Sequence, residues 1–271
     1  MNDAIAIATR LRDAYATRRL VPPPSSDPDF DLTAAYAVER ELARVRRAGG
    51  HRTVGRKVGY ANKAVWRVMK LDTLVWASMY DDTVKDATDG RATLRTSTMI
   101  APKIEPEIVF GLRSPIAGET SDPAAVLAAV DWMALGFEII DCPYPDWKFQ
   151  PVDFVAAYGL HAALVVGARR TVAGGDIATL VDQLPTFKVK LSRDGEPVAE
   201  GSGRNSLRSP ALCLGELASA IAKRPNQEPL AAGELVSSGT LTDSQPIKAG
   251  ETWSAEVEGM SLAPLTVALK G

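Results

Sequence analysis

The sequence predicts an α+β protein, with a helical N-terminal region over residues 1–75 and a strand-rich body over 76–271. Three observations carry this. Apolar residues recur at helical spacing through most of the opening third. Beyond about residue 75 short apolar or alternating runs appear between turn residues. The 271 residues suit one large domain, or one domain with a small companion.

The first helix is read from Ile5, Ala8, Leu11 and Tyr15, with Arg10, Arg12 and Asp13 elsewhere on the wheel. VPPPSSDPDF ends it, because consecutive prolines cannot continue a helix. A second helix starts near Leu32, with Ala35, Val38, Leu42 and Val45 as its stripe and Gly49-Gly50 as its stop. NKAVWRVMK is a short third. The strand candidates are TMIAPKI, IEPEIVFGL, LGFEIID, HAALVVG, FKVKLS, ELVSSG, TWSAEV and LTVALK. SRDGEPV carries a hairpin turn at Asp194-Gly195. Two further helices start at Ser121, with Pro123 in the first turn, and at Ser209, with Pro210 leading.

Apolar residues make up 46% and charged residues 24%, as in ordinary globular proteins. A net charge of -2 gives no electrostatic case for nucleic acid or an anionic membrane. No apolar run approaches the length of a spanning helix, and the N-terminus lacks the regions of a signal peptide. Two cysteines, Cys142 and Cys213, are too few for a disulfide framework or a zinc cluster, so the expected compartment is the cytoplasm.

The chemistry-bearing stretch is KIEPEIVFGL. In a strand, Glu105, Glu107 and Val109 share one face, and Ile104, Ile108, Phe110 and Leu112 the other. Pro106 cannot donate to a ladder, which places the segment at an edge or bulge. Glu138, in ALGFEIID, follows after one helix, and a returning strand brings it beside the pair. Three carboxylates suit Mg²⁺ or Mn²⁺ rather than structural zinc. A solvated face for Glu105 and Glu107, or a buried salt bridge for Glu138, stands as the plain alternative.

GRKVGYANKAVWRVMK, MYDDTV, IEPEI, ALGFEIID and SGTLTDSQPIKAGETWSAEVEGM occur in that order. From about residue 30 onward the chain resembles the 2-keto-4-pentenoate hydratase and 4-oxalocrotonate decarboxylase branch of the fumarylacetoacetate hydrolase superfamily. The resemblance implies a mixed β-sheet roll and a homo-oligomer. It implies that Glu105, Glu107 and Glu138 hold Mg²⁺ or Mn²⁺. It matches Lys57 to the family lysine, Asp81 and Asp82 to an acidic pair near the site, and Gly239 and Thr240 to an element near the substrate carboxylate. The implied activity is that of a metal-dependent lyase, a hydratase acting on a 2-oxo acid dienol such as 2-hydroxypenta-2,4-dienoate through a metal-stabilised enolate. The same site would support 2-oxo acid decarboxylation or acylpyruvate C–C hydrolysis.

The chain departs from that pattern at FVAAYGLHAALVVG, where Ala157, Tyr158 and Leu160 replace polar residues and His161 is newly placed. This motivates a further alternative, a non-catalytic partner subunit. His161 is either a proton carrier or a satisfied core histidine. Lys57 binds the substrate carboxylate or lowers an acid's pKa, unless it is a surface lysine. Asp81 and Asp82 supply a general base or build a turn. Trp147-Lys148 forms a lid or wall, or packs in the core, and His51 reads as a loop residue. EGSGRNS fits no phosphate-binding fingerprint and reads as a loop.

Overall fold

The computed structural model describes residues 3–116 and 118–271. Its helices are α1 (Ala4–Thr17), α2 (Leu32–Ala48), α3 (Lys63–Met69), α4 (Pro123–Ala128), α5 (Pro151–Ala156), α6 (Ile177–Gln183) and α7 (Pro210–Ala222). The strands are β1 (Thr53–Gly59), β2 (Val75–Tyr80), β3 (Val84–Asp86), β4 (Arg91–Arg95), β5 (Pro102–Leu112), β6 (Val130–Asp141) and β7 (His161–Val166). They continue with β8 (Arg170–Thr171), β9 (Lys188–Arg193), β10 (Glu196–Ser202), β11 (Leu235–Ser237), β12 (Gln245–Pro246), β13 (Thr252–Glu258) and β14 (Leu265–Lys270).

The larger sheet is mixed and runs β2-β1-β11-β5-β6-β7-β3, with β12 also on β5 and β8 on β6. The smaller runs β10-β9-β13-β14-β4. β1, from the opening 75 residues, pairs with β2 and β11. Lys57 and the three glutamates therefore sit on one sheet. Among the described residues no helix is long and apolar enough to cross a membrane.

The helix faces follow the apolar pattern, with two local differences. α2 buries Ala35, Tyr36, Val38, Glu39, Leu42 and Ala43, and Gly49 closes it. α1 buries Ala8, Leu11 and Ala14, whereas Ile5 is exposed in its first turn. The cap of α4 is Asp122 rather than Ser121, with the Asp122 carboxylate accepting from Ala124 N. Asp194 and Gly195 both take left-handed backbone (φ 53° and 88°), which a two-residue hairpin turn between twisted strands requires.

β5 is interior, which corrects the edge assignment. Its partners are β6 on one side and β11 and β12 on the other. β12 faces Lys103 and Ile104 and β11 faces Val109 to Gly111, leaving Pro106 in the gap between them. The Pro106 carbonyl accepts from Leu241 N at 2.9 Å, so its missing N–H points toward an irregular loop, where no ladder bond is lost.

Candidate metal centre and active site

The face assignment of β5 holds. Ile104, Ile108 and Phe110 enter the main core, and Val109 packs with Met79, Ala134, Leu164 and Val166 on the opposite face. Glu105 lies directly across from Glu138, and Glu107 across from Gly136. A Cβ at Gly136 would meet Val109 Cγ2 at 2.5 Å, so this position has no room for a side chain beside Glu107. One carboxylate oxygen from each glutamate lies within 4.8 Å of the other two. Glu107 and Glu138 are fully buried.

Each buried carboxylate is held from behind. Glu107 Oε2 accepts from Ser237 Oγ at 2.6 Å and from Gly239 N at 2.8 Å. Its Oε1 is buried with no hydrogen-bond partner. Glu138 Oε1 lies 2.9 Å from His161 Nδ1, and Glu138 Oε2 lies 2.8 Å from Lys57 Nζ as an ion pair. That ammonium reaches the carboxylate off the hydrogen-bonding direction of Oε2, and its aligned bond goes to Gly159 O at 3.0 Å. Lys57 Nζ also sits 4.8 Å from the Phe154 ring centroid.

Strand irregularities place these supports. Between β6 and β7 the register shifts, so that Ile140 faces His161 and Ala162 is passed over. The bulge turns His161 onto the face of Glu138. Its Nε2 lies 2.9 Å from Thr83 Oγ1. Just before it, Tyr158, Gly159 and Leu160 all adopt left-handed backbone (φ 56°, 62° and 57°). This strained turn aims the Gly159 carbonyl at Lys57. A Cβ on Gly159 would meet Lys57 Cδ at 2.7 Å and Ala77 Cβ at 2.8 Å. The segment that departs from the family pattern thus fastens both Lys57 and Glu138.

The electrostatics call for a cation. Burial pushes Glu105 up to about 7, helped by Glu138 and opposed by Lys57 and Lys103. Burial, then Glu138 and Glu105, push Glu107 well above the usual carboxylate range. Burial also acts to raise Glu138, but the Lys57 charge and the His161 bond outweigh it, and its pKa is lowered. Lys57 is pushed down by burial and up by the three carboxylates, Glu138 foremost, with a net rise that keeps it an ammonium. Three clustered carboxylates facing one ammonium, with an orphaned Glu107 oxygen, make a donor set that fits a hard, oxygen-preferring divalent cation.

Lys57 and Glu105 line a cleft of about 980 Å³, and the buried Glu107 and Glu138 lie against Glu105 outside that lining. Phe154, Leu160, Trp147, Phe149 and Met69 form its apolar wall, and Gly239 and Thr240 line it too. The Gly239 N–H is taken up by Glu107, and the Thr240 hydroxyl donates to Thr242 O. Asp81 and Asp82 do not line this cleft. Asp81 binds Arg52, Asp82 binds Arg46, and both approach His51 Nδ1 (3.6 and 3.5 Å) in a separate cluster. His161 stands behind Glu138, outside the cleft lining. Ser237, Thr83, Gly159, Arg204 and Arg208 were not singled out by the sequence. Of these Ser237 left the clearest signal, within the strand candidate ELVSSG and two residues before Gly239-Thr240.

No family model matches the chain. It is 30% identical over 265 residues to 2-hydroxyhexa-2,4-dienoate hydratase of Comamonas testosteroni, spanning 96% of this chain and 97% of that protein. The chain belongs to the 2-keto-4-pentenoate hydratase and 4-oxalocrotonate decarboxylase family. It is likewise 30% identical over 261 residues to 4-oxalocrotonate decarboxylase of Pseudomonas sp. strain CF600, covering 96% and 94% of the two chains. The structure of 4-oxalocrotonate decarboxylase from Pseudomonas putida G7, complexed with magnesium and adipate, superposes with a TM-score of 0.87 at 26% identity, covering 98% and 97%. More distant fumarylacetoacetate hydrolase superfamily structures share the fold.

Proposed function

We propose that the protein is a divalent-metal-dependent hydratase that adds water to a small 2-oxo acid in its dienol form, such as 2-hydroxypenta-2,4-dienoate. One observation carries the reading: three clustered carboxylates meet a buried ammonium beside an apolar-walled cleft that Glu105 and Lys57 line. The hydratase names among the family relatives support it. Glu105, Glu107 and Glu138 would hold Mg²⁺ or Mn²⁺, and the magnesium of the decarboxylase structure supports that choice. When bound, the ion supplies a Lewis acid for the carboxylate and 2-oxo oxygens of the substrate, lowering the cost of enolate charge.

The chain's own groups do the rest. Ser237 and Gly239 fix Glu107, and Lys57 and His161 fix Glu138, so the carboxylates do not reorganise as the substrate arrives. Lys57, held as an ammonium, faces the enolate charge. Lining the cleft, it would give its proton at C5 and recover one from the 2-hydroxyl, which turns the dienol into a conjugated 2-oxo acid; water then adds its oxygen at C4 and a proton at C3. Phe154, Trp147 and Phe149 limit bulk water along the cleft. Gly239 and Thr240 line the cleft and would form the wall beside the substrate carboxylate.

A second reading keeps the site and releases CO₂ from a vinylogous 2-oxo dicarboxylate. The TM-score of 0.87 to a decarboxylase favours it. A non-catalytic partner subunit is disfavoured, because all three carboxylates and Lys57 are in place. We take the protein to act in the cytoplasm as a homo-oligomer. Its buried free cysteines fit a reducing compartment, and exposed Ile5, Leu20 and Val68 supply apolar contact surface.

The test follows the dienol ultraviolet band of freshly made 2-hydroxypenta-2,4-dienoate with Mg²⁺, against an EDTA control. EDTA-sensitive loss to 4-hydroxy-2-oxopentanoate supports hydration. CO₂ release from a 2-oxo dicarboxylate without hydration moves the reading to decarboxylation. Absence of both overturns these two readings and leaves acylpyruvate C–C hydrolysis to be assayed.

A further inference from the structure

A second pocket, of about 490 Å³, lies beyond His161 as seen from Glu138. The imidazole turns Nδ1 to Glu138 and Nε2 to Thr83 Oγ1, each at 2.9 Å, and Thr83 is on the pocket lining. Ala162, the residue passed over at the β6–β7 bulge, and Ala163 line it too, and their small side chains leave the space open. Bulges are frequent beside functional sites. Among the described residues none lines both this pocket and the cleft.

The pocket is cationic. Lys85 comes from β3 in the larger sheet, and Arg95 and Lys270 from the ends of β4 and β14 in the smaller. Arg95 and Lys270 lie directly across from each other on paired strands, where like charges repel. The three side chains are exposed, and among the described residues none of their charged groups has a hydrogen bond or a carboxylate partner. Asp82, the acid on the lining, is already bound to Arg46 and stands 3.5 Å from His51 Nδ1. The hydroxyls of Thr93 and Thr98, also on the lining, have no partner among the described residues. The rim is fixed, because Thr96 N and Oγ1 donate to Lys270 O at 2.9 and 3.2 Å, and Met99 N donates to Thr96 O at 3.0 Å. Cations held close together in a hollow, with free hydroxyls beside them, are stabilised by an anion between them.

We infer that this pocket is a second binding site, for a phosphate group, free or on a small organic ester. A phosphate dianion offers acceptor oxygens in several directions, which suits three cations and two hydroxyls arriving from separate segments. The pocket volume falls within the range of small-molecule sites, so an ester fits. The inference is independent of the reaction carried out in the cleft.

The test is calorimetric titration of the metal-free protein with inorganic phosphate and with glycerol 3-phosphate. Without a divalent ion, phosphate has no metal to ligate beside the cleft. The expected result is one saturable site per chain. R95Q/K270Q should weaken it by about tenfold, and Arg204→Gln, on the cleft lining, should leave it unchanged. Both pocket substitutions fall on exposed side chains, and a parental Tm reports that the fold is intact. Lys85→Glu, which adds a carboxylate to the pocket, should abolish binding by itself. Tighter binding of glycerol 3-phosphate supports an ester as the occupant, and equal or weaker binding supports free phosphate. No saturable binding of either probe, a site that survives R95Q/K270Q and Lys85→Glu, or a loss that follows Arg204→Gln instead, overturns the inference. Succinate binding as tightly as phosphate overturns the phosphate assignment.

Discussion

Replacing Lys57 with methionine removes the buried ammonium while keeping most of the stem volume. Lys57 is 1% exposed, with Nζ 2.8 Å from Glu138 Oε2 and 3.0 Å from Gly159 O. At that separation the gross attraction is about 6 kcal/mol for an effective dielectric near 20. Loss of one partner of a buried pair typically costs about 3–5 kcal/mol. Two features place this case at the low end. Glu138 keeps His161, and Glu105, with its pKa near 7, can take up a proton. The expected loss without metal is therefore about 3 kcal/mol, which lowers Tm by roughly 6–10 °C in EDTA. A divalent ion supplies the missing positive charge, so saturating Mg²⁺ should shrink the deficit. The variant should also bind Mg²⁺ more tightly than the parent, because no ammonium competes for Glu138, while turnover is lost. Thermal unfolding in EDTA and in Mg²⁺, with metal titration, reads all three. A Tm in EDTA within about 2 °C of the parent, or a deficit that Mg²⁺ leaves unchanged, would refute the charge-balance reasoning.

His161→Leu should weaken Mn²⁺ binding by about 10–100-fold, since it removes the group that orients Glu138, and His161→Gln should recover part of that loss. Full metal affinity with abolished turnover in both would make His161 a proton carrier instead. Glu105 titrates near 7 in the metal-free protein, above the ordinary carboxylate value of 4.5, so between those values the folded state binds more protons than the unfolded state. This group's contribution to metal-free stability is present below 4.5 and is lost as pH rises toward 7, whereas the ion needs the deprotonated form. The gain in Tm from Mg²⁺ should therefore grow from pH 5.5 to 7.5, and a pH-independent gain would contradict the assignment. Gly159→Ala should lower Tm and turnover together, because its Cβ would press on Lys57 Cδ at 2.7 Å in a left-handed turn; a variant with parental activity would show that the turn does not position the lysine.

What the sequence revealed follows from where the signals are local. The faces of β5 could be read from alternation, since side chains on a strand alternate whatever its neighbours are. The edge assignment failed because Pro106 reports only that one donor is missing. Whether that donor faces solvent or a gap between two short partner strands depends on residues 235–246, which are remote in sequence. Asp81 and Asp82 illustrate a different limit. Their spacing suits a base or a turn equally, and β2 carries them to Arg52 and Arg46 instead of to the cleft. The chemistry of His161 is visible in the sequence, yet its placement behind Glu138 depends on a bulge that has no mark there. Arg204 and Arg208 carry no local signal, because a loop after a hairpin gives no sign of which surface it folds onto.

The central claim is that Glu105, Glu107 and Glu138 form the metal centre. Its most direct measurement is the stoichiometry of Mn²⁺ bound to the metal-free protein, read by electron paramagnetic resonance for the parent, Glu107→Gln and the Asp81→Asn/Asp82→Asn pair. The expected result is one tight ion per chain, lost in Glu107→Gln and retained in the aspartate variant. No tight ion in the parent, or one that disappears with Asp81 and Asp82 and survives Glu107→Gln, would contradict it.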